Sequence, residues 1–364
     1  MVVEAVASAY SPPAESAGGW RWLDAPDDIR RLAGMDPDLL EALGERQQVF
    51  NGGDSWSLAI IRHGYLVREF HTFNVLFPSR FDIWSCTKSF TSTAFGLLID
   101  DARAGRVRTP VDLDTPAYDH LPAGHPLSDP RKAAITIRQL LTMTAGLAGE
   151  ARGVVGMPTR TGEGPFEHAL GLVPNRYGRS IATLAADPGT AWDYSDASMA
   201  HLALLFANLT DGELASYLAE RVLAPIGIDG LSWDVQGGSG GIGPHTNAHT
   251  GIHISARELA RFGYLFLEGG RWGDRQIVPR WWVELATRTS QPYNPDYGFL
   301  WWVNTAGTKW PALPRDAYAA IGYRSNRCYV IPSLDLVVAR VGTGPVAWDE
   351  QELIGSVVRA VIEE

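Results

Sequence analysis

Phe81-Asp82-Ile83-Trp84-Ser85-Cys86-Thr87-Lys88, running on into the apolar-periodic residues 90–99, decides how the rest of the chain is read. An extended segment gives way to a helix, with Ser85 near the helix start. On a helix, positions i and i+3 share a face, so the Lys88 amine comes within hydrogen-bond reach of the Ser85 hydroxyl. A serine hydroxyl is a poor nucleophile until a base takes its proton. Lysine serves as that base where desolvation or a nearby positive charge depresses its pKa. The helix N-terminus adds free N–H groups and a positive field, which favour a developing oxyanion. An N-cap serine followed by an exposed helix lysine would give the same four letters. Composition bears on that choice, because lysine occurs only at Lys88, Lys132 and Lys309 and arginine carries nearly all other positive charge.

Upstream, Trp56–Arg62 and 65–70 read as strands joined by a tight His63-Gly64 turn. A helix is expected over 36–48, and the Ala/Ser/Pro/Gly-rich residues 1–25 as a loose surface wrap. An antiparallel hairpin this early argues against a doubly wound dinucleotide fold. Downstream, helical patterns dominate 101–230, clearest at 135–141 and 197–209. After a glycine-rich break at 237–241 come helices at Ala256–Leu267 and 281–287. Strands follow at 298–303, Asn326–Ile331 and 336–341, then a closing helix at 350–362. This order predicts an α/β (α+β) protein with an antiparallel central sheet flanked by helices. Residues 1–100 with 231–364 would form an α/β lobe, and 101–230 an inserted, mainly α-helical lobe; 364 residues suffice for both.

Two further stations carry chemistry. Trp192-Asp193-Tyr194-Ser195-Asp196 precedes a helix, where a tyrosine in a positive field would be partly ionised and able to shuttle protons. Ser195 and Asp196 also suit plain N-capping, with the aromatics as a hydrophobic staple. Ala320-Ile321-Gly322-Tyr323-Arg324-Ser325-Asn326 leads into a strand. Gly322 there would let substrate lie close to the backbone, and a strand N–H would complete an oxyanion hole, although a plain turn fits the same letters.

Taken in this order and spacing, the three stations resemble the serine β-lactamase and penicillin-binding-protein superfamily, most of all its class C β-lactamase and family VIII carboxylesterase branch. The stretches 135–147, 254–263 and 329–332 agree, and the resemblance covers roughly residues 50–360. It implies Ser85 as nucleophile, Lys88 as its proton partner and Tyr194 as second general base. It implies an oxyanion hole from the backbone N–H groups of Ser85 and Tyr323. Substrate contacts are expected from Gly322, from Asp196 at the position of the family's substrate-touching amide, and from Arg324, which would replace some of the charge of the family's missing lysine. Two departures matter. The family's Tyr-x-Asn is Tyr194-Ser195-Asp196 here, and its Lys-Thr-Gly is Ala320-Ile321-Gly322, which argues against efficient β-lactam hydrolysis. The expected activity is an acyl-enzyme hydrolase acting on another ester or amide. Alternatives are an amide-forming transacylase with an amine acceptor, a β-lactamase or D-alanyl peptidase, and a non-catalytic binding or sensor protein of the same fold.

Other signals are set aside. Gly237-Gly238-Ser239-Gly240-Gly241 matches Gly-x-Ser-x-Gly, but no helix starts after it. His245, His249 and His253 fall four apart, but Gly251 interrupts any helix, so a loop bordering the cleft is expected rather than a metal site. Cys86 and Cys328 form no disulfide framework, and Cys86 is expected to be a buried thiol. The Trp281-Trp282 and Trp301-Trp302 pairs line the cleft or pack in the core. A net charge of −10 argues against a nucleic-acid partner. No signal peptide or membrane span is read in residues 1–19, which points to a cytoplasmic protein. No cofactor is expected, and the oligomeric state is left open.

Overall fold

The computed structural model describes residues 10–50, 54–72, 75, 79–154, 164–238, 241–344 and 349–362. Its centre is a seven-stranded sheet drawn from both ends of the chain. In chain order the strands are β1 (Arg21–Trp22), β2 (Trp56–Arg62), β3 (Tyr65–His71), β4 (Trp302–Val303), β5 (Tyr318–Gly322), β6 (Asn326–Ile331) and β7 (Leu336–Gly342). In space they run β1-β3-β2-β7-β6-β5-β4. Every neighbouring pair is antiparallel except β1 with β3. The two chain ends meet where Trp56–Arg62 pairs with Leu336–Gly342.

All of β2 and β7 is buried. Successive strand residues face opposite ways, so Leu58, Ile60, Leu336 and Val338 join one core while Ala59, Ile61, Val337 and Ala339 join the other. The first core is closed by α1 (Pro26–Ala33), α2 (Pro37–Phe50) and the C-terminal helix. On the other face lie α3 (Thr87–Arg103), α4 (Asp196–Thr210) and α5 (Ala256–Leu267); the C-terminal helix is α6 (Glu350–Arg359). This is the mixed α/β architecture with an antiparallel central sheet that the element order predicts. Between 101 and 230 every named element among the described residues is helical.

Helix α3 runs through the middle with nearly all of its side chains buried. Its polar residues therefore need partners. Ser89 Oγ donates to Leu300 O at 2.9 Å and Thr91 Oγ1 to Ala248 O at 2.8 Å. The helix is anchored on several sides, so its first turn is held in a fixed place.

Three expectations need correction. Residues 10–25 are not a loose wrap: Trp20 and Leu23 are buried, and β1 extends the sheet. The fully buried Arg261 ties this segment down through the Pro12 carbonyl at 3.0 Å and an ion pair with Glu15 at 2.6 Å. The expected strand over 298–303 shrinks to Trp302–Val303, because Leu300 takes a left-handed φ of 62°. Strand β5 was not expected at all.

Candidate active site

Ser85 lies in a single 3-10 turn, Trp84–Cys86, that feeds α3. Trp84 enters it at φ 51°, a conformation that costs a bulky side chain energy. Asp82 stabilises the kink, its Oδ1 accepting from Trp84 N at 2.8 Å and from Gly251 N at 3.1 Å. Sequence reading missed Asp82, although an aspartate two residues ahead of a kink is a known turn signal. One turn on, Lys88 Nζ donates to Ser85 Oγ at 2.8 Å. Nζ also lies 2.9 Å from Asp196 Oδ1, and the lysine side chain is only 2% exposed. The lysine is thus neither an exposed helix residue nor next to a positive charge. Its charged neighbour is a carboxylate.

Asp196 was expected to touch substrate. Instead it opens α4 and forms an ion pair with Lys88. Ser195 occupies the N-cap position without capping: its Oγ bonds Ala148 O at 3.3 Å. Tyr194 stands over Lys88, whose Nζ is 4.7 Å from the ring centroid. Desolvation and the neighbouring Asp196 charge push the phenol well above its ordinary range, while a hydrogen bond with Ser85 pulls the other way. The resting tyrosine is therefore a neutral phenol, not the partly ionised group expected.

Asp193, also missed, fastens the loop after Gly149. Its Oδ2 accepts from Gly149 N at 2.9 Å and Arg152 Nη1 at 3.1 Å, and its Oδ1 accepts from Ala151 N at 3.0 Å. Glu150 N donates to Tyr194 O at 2.9 Å. A side chain at 149 would strike that carbonyl, with its Cβ 2.2 Å away, so only glycine fits. Glu150 is thereby carried to the cleft rim.

The opposite wall is the end of β5. Gly322 pairs with Asn326, leaving Tyr323-Arg324-Ser325 as a three-residue turn with Arg324 and Ser325 at positive φ. Asn326 closes it, donating to Tyr323 O at 2.7 Å and accepting from Gly342 N at 2.9 Å. Gly322 lines the cleft, but the space beside its Cα belongs to the protein: a Cβ there would sit 2.1 Å from Ile83 O and 3.2 Å from Cys86 N. Glycine is needed so that the strand can reach the Ser85 turn. Arg324 does not line the cleft. It is exposed at the turn tip, near the Tyr323 ring, because the left-handed turn directs it outward. The Tyr323 ring stacks edge-on against Trp84 at 5.2 Å. Ala320 is buried in the core beside α3.

Ser85, Tyr194, Gly322 and Tyr323 line one cleft of about 450 Å³, with Glu150, Trp192 and Trp302 among its other walls. Of the two tryptophan pairs, only Trp302 faces it; Trp282 and Trp301 are fully buried. None of the three spaced histidines lines it. His245 bonds Glu213 at 2.8 Å, His253 lies 3.7 Å from Asp234, and His249 is buried behind Lys88 and Asp196. Among the described residues no group of His, Cys, Asp and Glu is arranged to hold a metal ion. Burial pushes the Cys86 thiol up to about 12, so it is inert. Ser239 and Gly240 lie outside the described residues, and so does the centre of the Gly-x-Ser-x-Gly match. No described helix is long and apolar enough to cross a membrane.

The buried histidines carry a pH prediction. Burial lowers both His201 and His249 from 6.5 to about 4. Both imidazoles are neutral in the folded state at pH 5, but they charge in the unfolded chain. Their contribution is full above pH 6.5 and is lost as pH falls towards 4. At about 1.4 kcal/mol per pH unit, each loses about 2 kcal/mol by pH 5. Urea unfolding at pH 7 and pH 5 measures the slope. His201→Gln should remove about 2 kcal/mol of it; an unchanged slope in that variant would refute the assignment.

The family model for β-lactamases matches residues 55–360. A curated relative is an uncharacterised protein of Alkalihalophilus pseudofirmus, 32% identical over 98 residues, a match spanning 24% of this chain and 29% of that one. Solved structures share the fold at low identity. EstCE1, described as a hydrolase with promiscuous acyltransferase activity, superposes with a TM-score of 0.67 at 15% identity, covering 90% of this chain and 98% of that one. A D-stereospecific amidohydrolase from Streptomyces gives 0.61 at 17%, covering 88% and 98%. A penicillin-binding-protein homologue from Caulobacter crescentus gives 0.63 at 18%, covering 91% and 97%. With the family model spanning most of its length, this chain belongs to the β-lactamase family and is a hydrolase of that fold.

Proposed function

We propose that Ser85 attacks an ester or amide carbonyl, forms an acyl-enzyme, and passes the acyl group to water. The observation that carries this reading is the position of Lys88 Nζ, 2.8 Å from Ser85 Oγ and 2.9 Å from Asp196 Oδ1 at the end of an open cleft. As the serine oxygen bonds to the carbonyl carbon, its proton moves to Nζ, and a proton of Nζ passes to Asp196. The carboxylate becomes a carboxyl group while the lysine charge is unchanged. The neutral Tyr194 phenol protonates the leaving oxygen or nitrogen and is refilled by Lys88, which takes back the proton held on Asp196, so that the carboxylate and the phenol are both restored in the acyl-enzyme. Deacylation runs in reverse, with water in the leaving group's place. The Ser85 and Tyr323 N–H groups are the oxyanion donors in this scheme. Ser85 lies in the first turn of a helix, where such groups have no intrahelical partner. Besides these side chains the cycle needs only the small-molecule substrate and water. An amine in place of water gives transacylation, so product analysis with amine present separates the two outcomes.

The same geometry disfavours β-lactams. With Ala320 in the core and Arg324 outside the cleft, no described cation faces the substrate carboxylate. A chromogenic cephalosporin should turn over at least about 10²-fold more slowly than an activated ester. Intact-mass labelling with an alkyl fluorophosphonate tests the nucleophile. One adduct is expected on the wild type and none on Ser85→Ala; equal labelling of both would overturn the assignment.

A further inference from the structure

We propose that the cleft selects substrates bearing a cationic ammonium group, held by the Glu150 carboxylate and the aromatic faces of Trp192 and Trp302. This rests on the reading of Ser85 as the nucleophile of the same cleft, and it names the class of molecule that the cleft takes.

Lys88 is spent on Asp196 at 2.9 Å. Asp193 is spent on Arg152 and on two backbone amides. Glu150 remains, and among the described residues its carboxylate has neither an ion-pair nor a hydrogen-bond partner while it faces the cleft. Among the described residues no lysine, arginine or histidine lines that space. Among the described residues that line the cleft, Glu150 is therefore the one charged side chain left without a partner; Lys309, beside Trp302, is not among them. Burial above all, and then the charges of Asp196 and Asp193, push the Glu150 carboxyl above the ordinary range, with Lys88 pulling the other way; a further cation beside it would favour the carboxylate.

The walls fit the same ligand. Trp192, Tyr194 and Trp302 form one cluster, with Trp192 and Trp302 centroids 6.2 Å apart and Tyr194 6.0 Å from Trp302. Aromatic faces attract cations, and quaternary ammonium groups are bound in proteins by such sets of rings. The cluster already holds a cation on one ring, with Lys309 Nζ lying 4.2 Å from the Trp302 centroid. A carboxylate-bearing substrate would meet the opposite conditions, with two acidic side chains and no basic one among the described residues that line the cleft.

Two isosteric esters test this, 4-nitrophenyl 4-(trimethylammonio)butanoate and 4-nitrophenyl 5,5-dimethylhexanoate, which differ in charge but hardly in shape. The cationic ester should have the higher kcat/KM by about tenfold. That ratio should fall towards one in Glu150→Gln. A neutral ester turned over as well as the cationic one, or a ratio that survives Glu150→Gln, overturns the proposal. A binding arm needs no turnover. Butyltrimethylammonium should quench tryptophan fluorescence, with affinity at least about fivefold weaker in Glu150→Gln, and pentanoate should not bind; equal affinity in the two proteins overturns the proposal even if neither ester reacts. The Ser85→Ala control separates the failures. Turnover that persists there defeats the nucleophile assignment, whereas Ser85-dependent turnover without a cation preference defeats only the present inference.

Discussion

Lys88→Met should lower kcat/KM for an activated ester by about 10³–10⁴-fold and should also destabilise the protein, the two losses having different physical origins. The rate loss would follow from removing the group that links Ser85 Oγ to Asp196. The stability loss follows from leaving a carboxylate with an 11% exposed side chain without its cation, at about 3 kcal/mol. A second substitution separates them. Adding Asp196→Asn to Lys88→Met removes the stranded charge, so the urea midpoint should return most of the way to wild type. Activity should stay at the level of the single variant, since an amide cannot take the proton. If the double variant recovers activity with stability, Lys88 is a structural counter-ion and the relay is wrong. If Lys88→Met alone retains wild-type kcat/KM, the nucleophile reading loses its carrying observation.

The second large effect is expected at Gly322, where no reacting atom is involved. A methyl group there would lie 2.1 Å from Ile83 O, more than an ångström inside ordinary contact. The backbone on both sides must move, because the nearest obstacle is a carbonyl and not a flexible side chain. One side carries Ser85 and the other Tyr323, so the separation between the two proposed oxyanion donors opens directly. Gly322→Ala should lower kcat/KM by about 10²-fold, mainly through kcat, because an ångström of misplacement is enough. Overpacking should lower stability by about 1–3 kcal/mol as well. Unchanged kcat in a folded Gly322→Ala variant would show that the β5 end takes no part in catalysis.

Much of this framework is legible in the chain itself. Trp56–Arg62, Asn326–Ile331 and Ala256–Leu267 have the bounds that apolar patterning predicts. The helix among them is marked by a capping box from Ser255 to Glu258. Strand β5 was not legible. Tyr-Ala-Ala-Ile-Gly has two alanines and a glycine, residues that do not favour strands, and its conformation is set by pairing with β6 along its whole length. Asp193 was missed for a related reason, since it acts on the backbone amides of another segment, Gly149 and Ala151; Asp82 shows only half of its role locally, in the bond to Trp84 N, the other half being its bond to Gly251 N.

The sequence by itself determined the local facts. Ser85 and Lys88 stand one helical turn apart at a helix start, Tyr194 and Asp196 stand at the entrance of another, and a glycine-bearing segment precedes a strand. These follow from backbone periodicity and capping, which act over a few residues. Only the tertiary structure decided what the residues face. It turned Asp196 from a substrate contact into the partner of Lys88 and kept Tyr194 a neutral phenol. It directed Arg324 away from the cleft and left Glu150 in it. The reason is that charge state and exposure depend on distances of a few ångströms between segments far apart in the chain, and no local pattern encodes those distances.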